Sequence, residues 1–568
     1  MVGGTGAFGE RLVRGLLATT DMRVVVAARG VERARALADA LGGMPRVTAA
    51  RLDVASVSAE ALRILGAFAV VDAAGPFRPG AHRLARAAIQ AGVHYLDLAD
   101  GRAYVAGFAA RLDGPARAAG VLALAGCSST PALSCAALDH LTAGWTRVDC
   151  MEVAILPGNR APRGLAVMRS ILSWAGQPVR VFLDGGWTTR PGWGLTRRTE
   201  APGLGRRWCS LADTPDLDQV PARYRVCRSA VFRAGLELPL LHWGLLLASL
   251  PIRAACRLGL RLSLEPLAPA MRALAGLVHG LGTDRGGMVA EASGLDAAGQ
   301  PLHRRWTLVA EGGDGPVIPT LPALAILRAL AAGTPLPPGA RPCVGVLTLP
   351  EIAAEFAPYR IHTSEDAAPS PPPLFARALG RDYDALPAPV RAVHAPFPCL
   401  TLRRRASVDG PAGLLARLAA VPFGFPPAAT DVPVRVCIEA TDGGETWTRT
   451  FAGRRFRSRM AAAAAGAPTC SGLEERFGPF AFRLHVAADA GGLTMQVGGW
   501  RIGPIPLPRR LAPRASAREW VDEQGRFRFD VAIALPVAGR LVRYAGWLEP
   551  EGSAPRAGSA RTGAPNLL

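Results

Sequence analysis

Short runs of β-branched and aliphatic residues alternate with longer Ala-, Leu- and Arg-rich segments through the first 135 residues. The runs predict strands at 24–28, 47–52, 69–73, 95–97 and 121–125, with helices beginning near residues 7, 31, 59, 80 and 103. Strands that alternate with helices are typical of a parallel sheet covered on both faces. We therefore expect residues 1–135 to form a Rossmann-type, doubly wound α/β domain.

The regular alternation lapses between residues 136 and 363. Strands predicted at 150–155 and 304–310 flank a Trp-, Gly- and Pro-rich stretch and a long apolar helical region. We expect an inserted α/β domain here that binds substrate, and we also expect it to support a homodimer. Residues 364–373, SEDAAPSPPP, are acidic and then proline-rich, which predicts a semi-rigid extended linker.

Alternation of period two dominates residues 374–550, after a short helical hairpin predicted at 374–394. It predicts strands at 433–439, 447–451, 480–486, 493–497, 526–534 and 541–548. Asp442-Gly443-Gly444 is a turn signal between two of them. We expect a mainly antiparallel β domain, a sandwich or a small barrel, that is not catalytic and binds a ligand or partner. The alternative is a structural cap that only covers the oxidoreductase. Residues 551–568 are predicted to be a disordered tail.

The net charge of +20 suggests nucleic-acid binding at first sight, but the distribution of charge argues against it. All 65 basic residues are arginines, and their longest clusters, at 403–405 and 454–459, fit solvated strand edges. We expect no nucleic-acid partner, since a binding surface needs basic runs interleaved with aromatic residues. The absence of lysine also excludes Schiff-base chemistry and the Tyr-x-x-x-Lys pair of short-chain dehydrogenases.

Cysteine and histidine spacing indicates neither a disulfide framework nor a metal site. The ten cysteines form no Cys-x-x-Cys pair, and the nine histidines show no ligand spacing. We therefore expect a reducing, cytoplasmic environment and no metal.

A glycine-rich loop at the start of the chain predicts the cofactor. It satisfies G-x-G-x-x-G and consists of Gly3, Gly4, Thr5, Gly6, Ala7, Phe8 and Gly9. Glycines are required where a tight turn brings the backbone close to a pyrophosphate at a helix N-terminus. Only Met1 and Val2 precede the loop, so we expect either an upstream start or a shortened first strand with weakened cofactor affinity.

The residue that faces the adenosine ribose indicates NADP, with NAD as the alternative. Arg29 lies twenty residues after Gly9, where an acid would bind the ribose of NAD, and Arg33 follows one turn later. The competing interpretation is an arginine that is merely solvated at a strand end. Asp53 is predicted to accept a hydrogen bond from the adenine, and Ala74 and Gly75 to contact the nicotinamide half.

Candidate catalytic residues follow the fourth predicted strand, where such sheets hold ligands. Asp97 and Asp100 are the preferred proton donors or acceptors, and His94 is a third candidate with a competing structural role. In the middle domain, paired arginines and an acid on glycine-rich turns are predicted to bind substrate or, alternatively, to pin loops. These residues are Arg160, Arg163, Asp284 and Arg285.

Four motifs in order resemble the saccharopine dehydrogenase-like family. They are the glycine loop, VVDAAGPF at 70–77, HYLDLAD at 94–100 and GCSSTPALS at 126–134. The region around EERFGPF at 474–480 is similar to a bacterial domain of unknown function that is often fused to such domains. The resemblance implies a Rossmann domain with an inserted α/β domain, NADP or NAD, and hydride transfer at a C–N or related bond.

One departure from the family pattern falls beside the expected nicotinamide site. Better-known members often have Tyr-x-Asp-Leu-x-Gly-Glu at the end of the corresponding strand, whereas Ala99, Asp100 and Gly101 stand here after the fourth predicted strand. Lysine or saccharopine as substrate is therefore not supported, and we expect a small or lipophilic substrate. The alternatives are a non-catalytic dinucleotide-binding scaffold and a peripheral membrane protein that handles lipids.

The membrane alternative depends on residues 238–261. About 14 apolar residues, too few to span a bilayer, precede Arg253, Arg257 and Arg261 at i, i+4 spacing. Such a segment can lie in the interface of an anionic membrane. The competing interpretation is a buried helix pair of the substrate domain.

Overall fold

The computed structural model describes residues 1–41, 46–162, 164–183, 185–260, 262–369, 372–396, 399–441, 444–463 and 472–550. The chain forms two compact units, Met1–Pro369 and Ser370–Leu568. The predicted tail at 551–568, the turn residues Asp442 and Gly443, and two of the singled-out arginines, Arg163 and Arg261, lie outside the described residues.

The first unit begins with a parallel sheet of Rossmann strand order. Its strands are β1 Val24–Ala28, β2 Val47–Arg51, β3 Ala69–Asp72, β4 His94–Asp97, β5 Leu122–Ala125 and β14 Gly339–Pro342. Val2 bridges Ala27 in β1 and Asp72 in β3, so it stands where a first strand belongs. It joins the pair β2-β1 to the four strands β3-β4-β5-β14. The predicted doubly wound fold is confirmed.

Helices cover the two faces of this sheet. They are α1 Ala7–Thr19, α2 Val31–Ala40, α3 Ala59–Ile64, α4 Arg83–Ala91, α5 Arg102–Ala106, α6 Phe108–Ala118, α7 Ser134–Leu141, α12 Leu321–Ala331 and α13 Leu349–Ala353. The last two helices and β14 belong to a segment that returns after an insertion. Helix α1 packs on α12, and Asp113 in α6 accepts a 2.9 Å hydrogen bond from the backbone N–H of Ala340 in β14. The Rossmann fold therefore closes only near residue 342, not at the predicted boundary of 135.

The insertion is built on a mixed sheet. Its strands are β6 Arg147–Leu156, β7 Pro178–Leu183, β8 Gly186–Pro191, β9 Arg197–Ala201, β10 Gly205–Leu211, β11 Ser229–Leu236, β12 Gly286–Leu295, β13 Pro301–Ala310 and β15 Ile361–Pro369. Its helices are α8 Leu165–Trp174, α9 Asp216–Arg223, α10 Pro239–Arg257 and α11 Ala268–Leu277. The order β15-β13-β12-β6-β11-β10-β9 places the long hairpin β12–β13 beside β6. The predicted inserted α/β domain is confirmed.

The predicted linker differs from the structure over its first six residues. Residues 364–369 form most of β15, which pairs antiparallel with β13 from Ile361 to Pro369. Glu365 explains why this acidic segment is ordered, because it accepts hydrogen bonds from His140 at 2.8 Å and from Arg304. The sequence pattern missed the strand because the side chains of residues 362–367 are exposed and show no apolar alternation.

The predicted membrane segment forms one helix, α10, whose two sides differ. By length and composition alone, this 19-residue helix is a candidate membrane span, which differs from the expected apolar run of about 14 residues. One side packs inward, while Leu240, Leu247 and Leu250 are exposed on the other. The predicted arginine stripe is incomplete, because Arg253 is half-buried and donates a 3.0 Å hydrogen bond to the carbonyl of Trp193.

The second unit is a closed antiparallel barrel. Three short helices, α14 Leu374–Leu379, α15 Ala388–Val393 and α16 Leu414–Ala420, accompany its strands. The strands are β16 Cys399–Asp409, β17 Ala429–Thr441, β18 Gly444–Phe451, β19 Arg454–Ala462, β20 Gly472–Phe477, β21 Phe480–Asp489, β22 Gly492–Ile502, β23 Ile505–Leu507, β24 Arg514–Val521, β25 Phe527–Leu535 and β26 Gly539–Pro550. Pairing of β21 with β22 closes a ring of ten strands, and β23 pairs only with β22. Of the two predicted forms, the barrel is confirmed.

Side-chain alternation explains the barrel's core. In β19, Phe456, Ser458 and Met460 are buried while the arginines between them are exposed. In β21, Phe482, Leu484 and Val486 are buried in the same way. Because successive side chains of a strand point to opposite faces, an arginine-rich strand can still present an apolar inner face.

Candidate dinucleotide and proton-transfer site

The glycine loop lies where strand β3 ends, and its shape requires glycine at two positions. Gly3 has a φ of +73°, and a Cβ there would lie 2.7 Å from the backbone carbon of Ala73. A Cβ on Gly9 would lie 2.2 Å from the carbonyl oxygen of Gly3. Only a chain without these side chains can turn so tightly into α1.

The loop presents backbone N–H groups at the N-terminus of a 13-residue helix. Gly6 caps α1, and both Gly6 and Ala7 are exposed. The first N–H groups of a helix have no intrahelical partner and attract anions, with the helix dipole reinforcing the effect. Thr5 and Phe8 flank them and are half-buried. The cradle therefore fits the pyrophosphate of a dinucleotide.

The residues predicted to hold the adenosine end of the cofactor are accessible. Arg29 directly follows β1, Arg33 lies in the first turn of α2, and both are exposed. Within the described ranges, neither arginine forms an ion pair. Asp53 is exposed after β2 and accepts a 2.9 Å hydrogen bond from the N–H of Ala55, which fixes its turn.

The turn after β3 forms a shelf between the glycine loop and the end of β4. Ala74 is exposed, and its N–H donates a 2.9 Å hydrogen bond to Asp72. Gly75 follows and is half-buried. A Cβ on Gly101 would lie 2.7 Å from the carbonyl oxygen of Phe77, so the two turns touch through their backbones.

Asp97 ends β4 and is fully buried. One oxygen accepts hydrogen bonds from the N–H groups of Gly126 at 2.7 Å and Ala99 at 3.1 Å. The other accepts from the Tyr104 hydroxyl at 2.9 Å. Burial raises the pKa of Asp97 to about 7, although these hydrogen bonds oppose the shift. Its contacts therefore fix the backbone after β4 and β5.

A buried chain of polar groups runs beneath the shelf, and sequence reasoning missed it. The Tyr95 hydroxyl lies 3.1 Å from that of Tyr104 and 3.5 Å from Asp72, so two tyrosines connect Asp72 to Asp97. Burial raises the pKa of Asp72, and that of Asp97 is raised as well. Both aspartates end neighbouring strands, which is the signal that could have identified the pair.

Asp100 is the accessible acid of this strand end. Asp100 is exposed, whereas Asp97 is buried. Ser170 in α8 of the inserted domain approaches its carboxylate with an Oγ–Oδ2 distance of 3.4 Å. The surrounding protein still displaces much of its water, which raises the pKa of Asp100. A carboxyl group that is both reachable and shifted toward neutrality is suited to proton transfer.

Arg102, also missed from the sequence, ties this strand end to the inserted domain. Its guanidinium is bidentate to Asp218 in α9, at 2.8 and 2.5 Å, and lies 3.0 Å from Asp213. The side chain is largely buried. The position of Asp100 is thus supported from both domains of the first unit.

His94 does not belong to this cluster. It begins β4, whereas Asp97 ends it, and three residues of strand separate the two by about 10 Å. Its Nδ1 accepts a 3.0 Å hydrogen bond from the N–H of Leu122, and burial lowers its pKa. The competing structural role is therefore the one observed.

The candidate substrate residues of the inserted domain brace two loops. Arg160 donates a 2.9 Å hydrogen bond to the carbonyl of Gly280, and Arg285 forms an ion pair with Glu311 at 3.1 Å. Asp284 is half-buried in the second loop. No described contact joins these residues to Asp100. Substrate binding by them stays a prediction.

Among the described residues, no group of three His, Cys, Asp or Glu side chains is placed to hold a metal ion.

Two family models match the chain. Residues 1–124 match the saccharopine dehydrogenase NADP-binding domain, and residues 386–548 match DUF4166, a domain of unknown function. Among curated proteins, none matches this sequence.

Several solved structures are similar to it. Saccharopine dehydrogenase (L-Glu forming) from Saccharomyces cerevisiae shares 15% identity over 65% of this chain and 98% of its own, with a TM-score of 0.46. GenD2 from gentamicin A biosynthesis, solved with NAD, shares 14% identity over 63% of this chain and 90% of its own, with a TM-score of 0.29. Levoglucosan dehydrogenase, solved with NADH, shares 12% identity over 64% of this chain and 97% of its own, with a TM-score of 0.27.

The family resemblance predicted from the motifs is thus confirmed for both ends of the chain. The glycine cradle fits the pyrophosphate of a dinucleotide, and the family model supports a nicotinamide dinucleotide as the cofactor. Residues 1–124 of the first unit are thus similar to the saccharopine dehydrogenase NADP-binding domain, and residues 386–548 of the second are similar to DUF4166.

Proposed function

We propose that the protein is an NADP-dependent oxidoreductase in which Asp100 donates or accepts the proton that accompanies hydride transfer. The supporting observation is the position of Asp100, accessible at the carboxyl end of β4 and next to the shelf formed by the turn after β3. The cofactor supplies or takes up the hydride. The protein must then bind and orient the substrate and exchange one proton with it.

In this proposal Asp97 is a positioning residue. Its carboxylate holds the N–H groups of Ala99 and Gly126, so it sets the path of the backbone on which Asp100 lies. Arg102 fixes the same turn from its other side through Asp218. A fixed turn keeps the proton-transferring group at one distance from the substrate, which general acid–base catalysis requires.

The proposal includes NADP rather than NAD because of Arg29 and Arg33. Both are exposed beside β1, and neither forms an ion pair with another described residue. A 2′-phosphate would give them a charged acceptor, whereas a ribose hydroxyl would not.

The test is NADPH consumption against a panel of imines, keto acids and enoyl lipids. For any active substrate, we expect Asp100→Asn to lower turnover about 10²-fold while NADPH affinity is unchanged. Asp39→Asn, on the exposed side of α2, is the matched control and should leave both quantities unchanged. Full turnover in Asp100→Asn would assign the proton to another group.

A second candidate function, contact with a membrane surface, is favoured by the exposed leucines of α10 and α11. Leu240, Leu247, Leu274 and Leu277 are each more than 60% exposed. Interfacial helices bind by burying such a face among lipid headgroups. We expect co-sedimentation with anionic vesicles, weakened when Leu247 is replaced by Gln. A concentration-dependent dimer without vesicle binding would instead assign the face to the predicted homodimer.

A further inference from the structure

The barrel of the second unit encloses a cavity of about 350 Å³. Nearly all of its lining is apolar or aromatic, contributed by the inward residues of the strands, such as Phe482, Val497 and Phe529. The volume is roughly ten times the ~30 Å³ that a water molecule occupies in the liquid. Protein interiors normally contain few voids larger than one water molecule. A lumen of this size and composition is a ligand site in the range of known small-molecule pockets.

One end of the lumen is closed by aromatic residues rather than by the sheet. Phe423 and Phe425 follow α16, line the cavity and stack with ring centroids 5.3 Å apart. Phe423 also contacts Phe480 at 5.1 Å and Phe477 at 5.9 Å. The connection between β16 and β17, which contains α16, therefore covers this end of the lumen with aromatic side chains.

A small polar cluster faces the same cavity. Arg449 and Glu475 lie 3.5 Å apart, and Tyr544 is buried near both. Burial raises the pKa of the Tyr544 hydroxyl to about 12, with Glu475 adding to the shift and Arg449 opposing it. No group in the described part of the chain hydrogen-bonds this hydroxyl. The lumen therefore offers a donor that a ligand can use.

The charges of the cluster select the ligand's polar end. Arg449 already has a partner in Glu475 and donates a 2.8 Å hydrogen bond to Ser458. The carboxylate of Glu519, which also lines the cavity, lies 2.5 Å from Nε2 of the buried His394. A carboxylate ligand would lie beside Glu475 without a free cation, and an unpaired buried charge is costly. A hydroxyl or carbonyl group can instead accept from Tyr544, and a hydroxyl can also donate to Glu475.

We propose that the barrel binds an uncharged, single-chain lipid whose hydroxyl or carbonyl group lies at the Arg449–Glu475–Tyr544 cluster and whose chain fills the apolar lumen. This site is independent of the dinucleotide site, so the proposal holds whether or not the chain is an oxidoreductase.

The first experiment uses the full chain and the fluorescent probe N-phenyl-1-naphthylamine. We expect its emission to rise on binding, with a dissociation constant on the order of 10 μM. Dodecan-1-ol should displace the probe at least about 10-fold more effectively than dodecanoate at pH 7.5, because only the acid brings a charge. Absence of probe binding to a cooperatively folded chain would overturn the site, and stronger displacement by dodecanoate would overturn the preference for a neutral ligand.

A matched pair of substitutions locates the ligand inside the barrel. Val497 lines the cavity, and its neighbour Gln496 is exposed on the outer face of β22. Val497→Trp should weaken probe binding more than about 10-fold by filling the lumen, while Gln496→Trp should not change it. Thermal unfolding checks that both variants fold. Equal affinity in two folded variants would place the probe outside the lumen and overturn the proposal.

A conservative substitution tests the polar end without altering the volume. Tyr544→Phe should weaken displacement by dodecan-1-ol about 3- to 10-fold, the loss of one hydrogen bond, and leave probe affinity unchanged. Tyr383→Phe is the control, because that hydroxyl donates to the carbonyl of Arg391 and does not line the cavity. If Tyr544→Phe binds the alcohol as the wild type does, the assignment of the cluster is wrong.

Discussion

The dinucleotide loop is built from backbone groups, whereas the barrel lumen is built from side chains. The loop offers backbone N–H groups within seven consecutive residues, and its shape depends on the absence of a Cβ at Gly3 and Gly9. The lumen is formed by side chains from ten strands, and its backbone groups are used up in the ladders. A site of the first kind is lost when one side chain is added. A site of the second kind can be reshaped gradually.

The sharpest test of this contrast is Gly9→Ala. The new Cβ would lie 2.2 Å from the carbonyl oxygen of Gly3, so the loop must move away from the pyrophosphate position. We expect NADPH affinity, measured by titration calorimetry, to fall at least about 100-fold, two steps of 1.4 kcal/mol. Gly114→Ala in α6, where a Cβ meets nothing within 4 Å, should leave affinity unchanged. Retained affinity would mean that the cradle does not hold the phosphates.

Arg29→Ala tests whether a side chain adds specificity to this backbone site. Loss of a charge-assisted hydrogen bond of about 1.5–3 kcal/mol should weaken NADPH binding roughly 10- to 100-fold and leave NADH binding unchanged. Arg35→Ala is the control, since that exposed arginine pairs with Glu32 on the same helix. Equal affinity of the wild type for NADPH and NADH would contradict the cofactor assignment.

Truncation within strand β15 tests where the first unit ends. A fragment of residues 1–363 lacks the paired residues 364–369 and both contacts of Glu365, whereas residues 1–369 retain them. We expect the shorter fragment to be less stable by about 1–3 kcal/mol, since each hydrogen bond contributes roughly 1 kcal/mol. Urea unfolding of the two fragments measures the difference. Identical midpoints would show that residues 364–369 act as the predicted linker.

The buried acid Asp97 is tested by the pH dependence of stability. The pKa of Asp97 is about 7 in the folded chain and near 3.8 without burial, so the folded state binds the proton more tightly. Its contribution to stability is therefore present below pH 4 and is lost as the pH rises through 7. In Asp97→Asn this loss is absent, so we expect the stability of the variant relative to the wild type to increase between pH 5 and 8. A constant difference would show that Asp97 does not titrate there.

Prediction from the sequence succeeded where the determining residues are adjacent. The glycine loop and the five β-branched runs correspond to α1 and β1–β5 because each element depends on its own residues. Strand β14, with the sequence GARP, was missed because it has no apolar alternation and pairs with a strand about 200 residues earlier. In the barrel, the clusters 403–405 and 454–459 were interpreted as solvated edges, whereas they lie within β16 and β19.

Prediction of the candidate site from local sequence was limited in the same way. Asp97 and Asp100 are three positions apart and were predicted as equivalent acids. Only the packing of Tyr104 and Gly126 distinguishes the buried one from the accessible one. The partners of Asp100 and Arg102, Ser170 and Asp218, come from the inserted domain, and no local pattern connects them.

Because β5 pairs with β14, the sheet stays incomplete during part of the synthesis of the chain. Residues 122–125 leave the ribosome well before residues 339–342, and at about 5–20 residues per second the interval is roughly ten to forty seconds. During that time the nascent sheet has an open edge at β5, and α1 has no α12 to cover it. Unpaired strand edges recruit other chains. Until the returning segment arrives, the edge of β5 is therefore open to pairing with other chains.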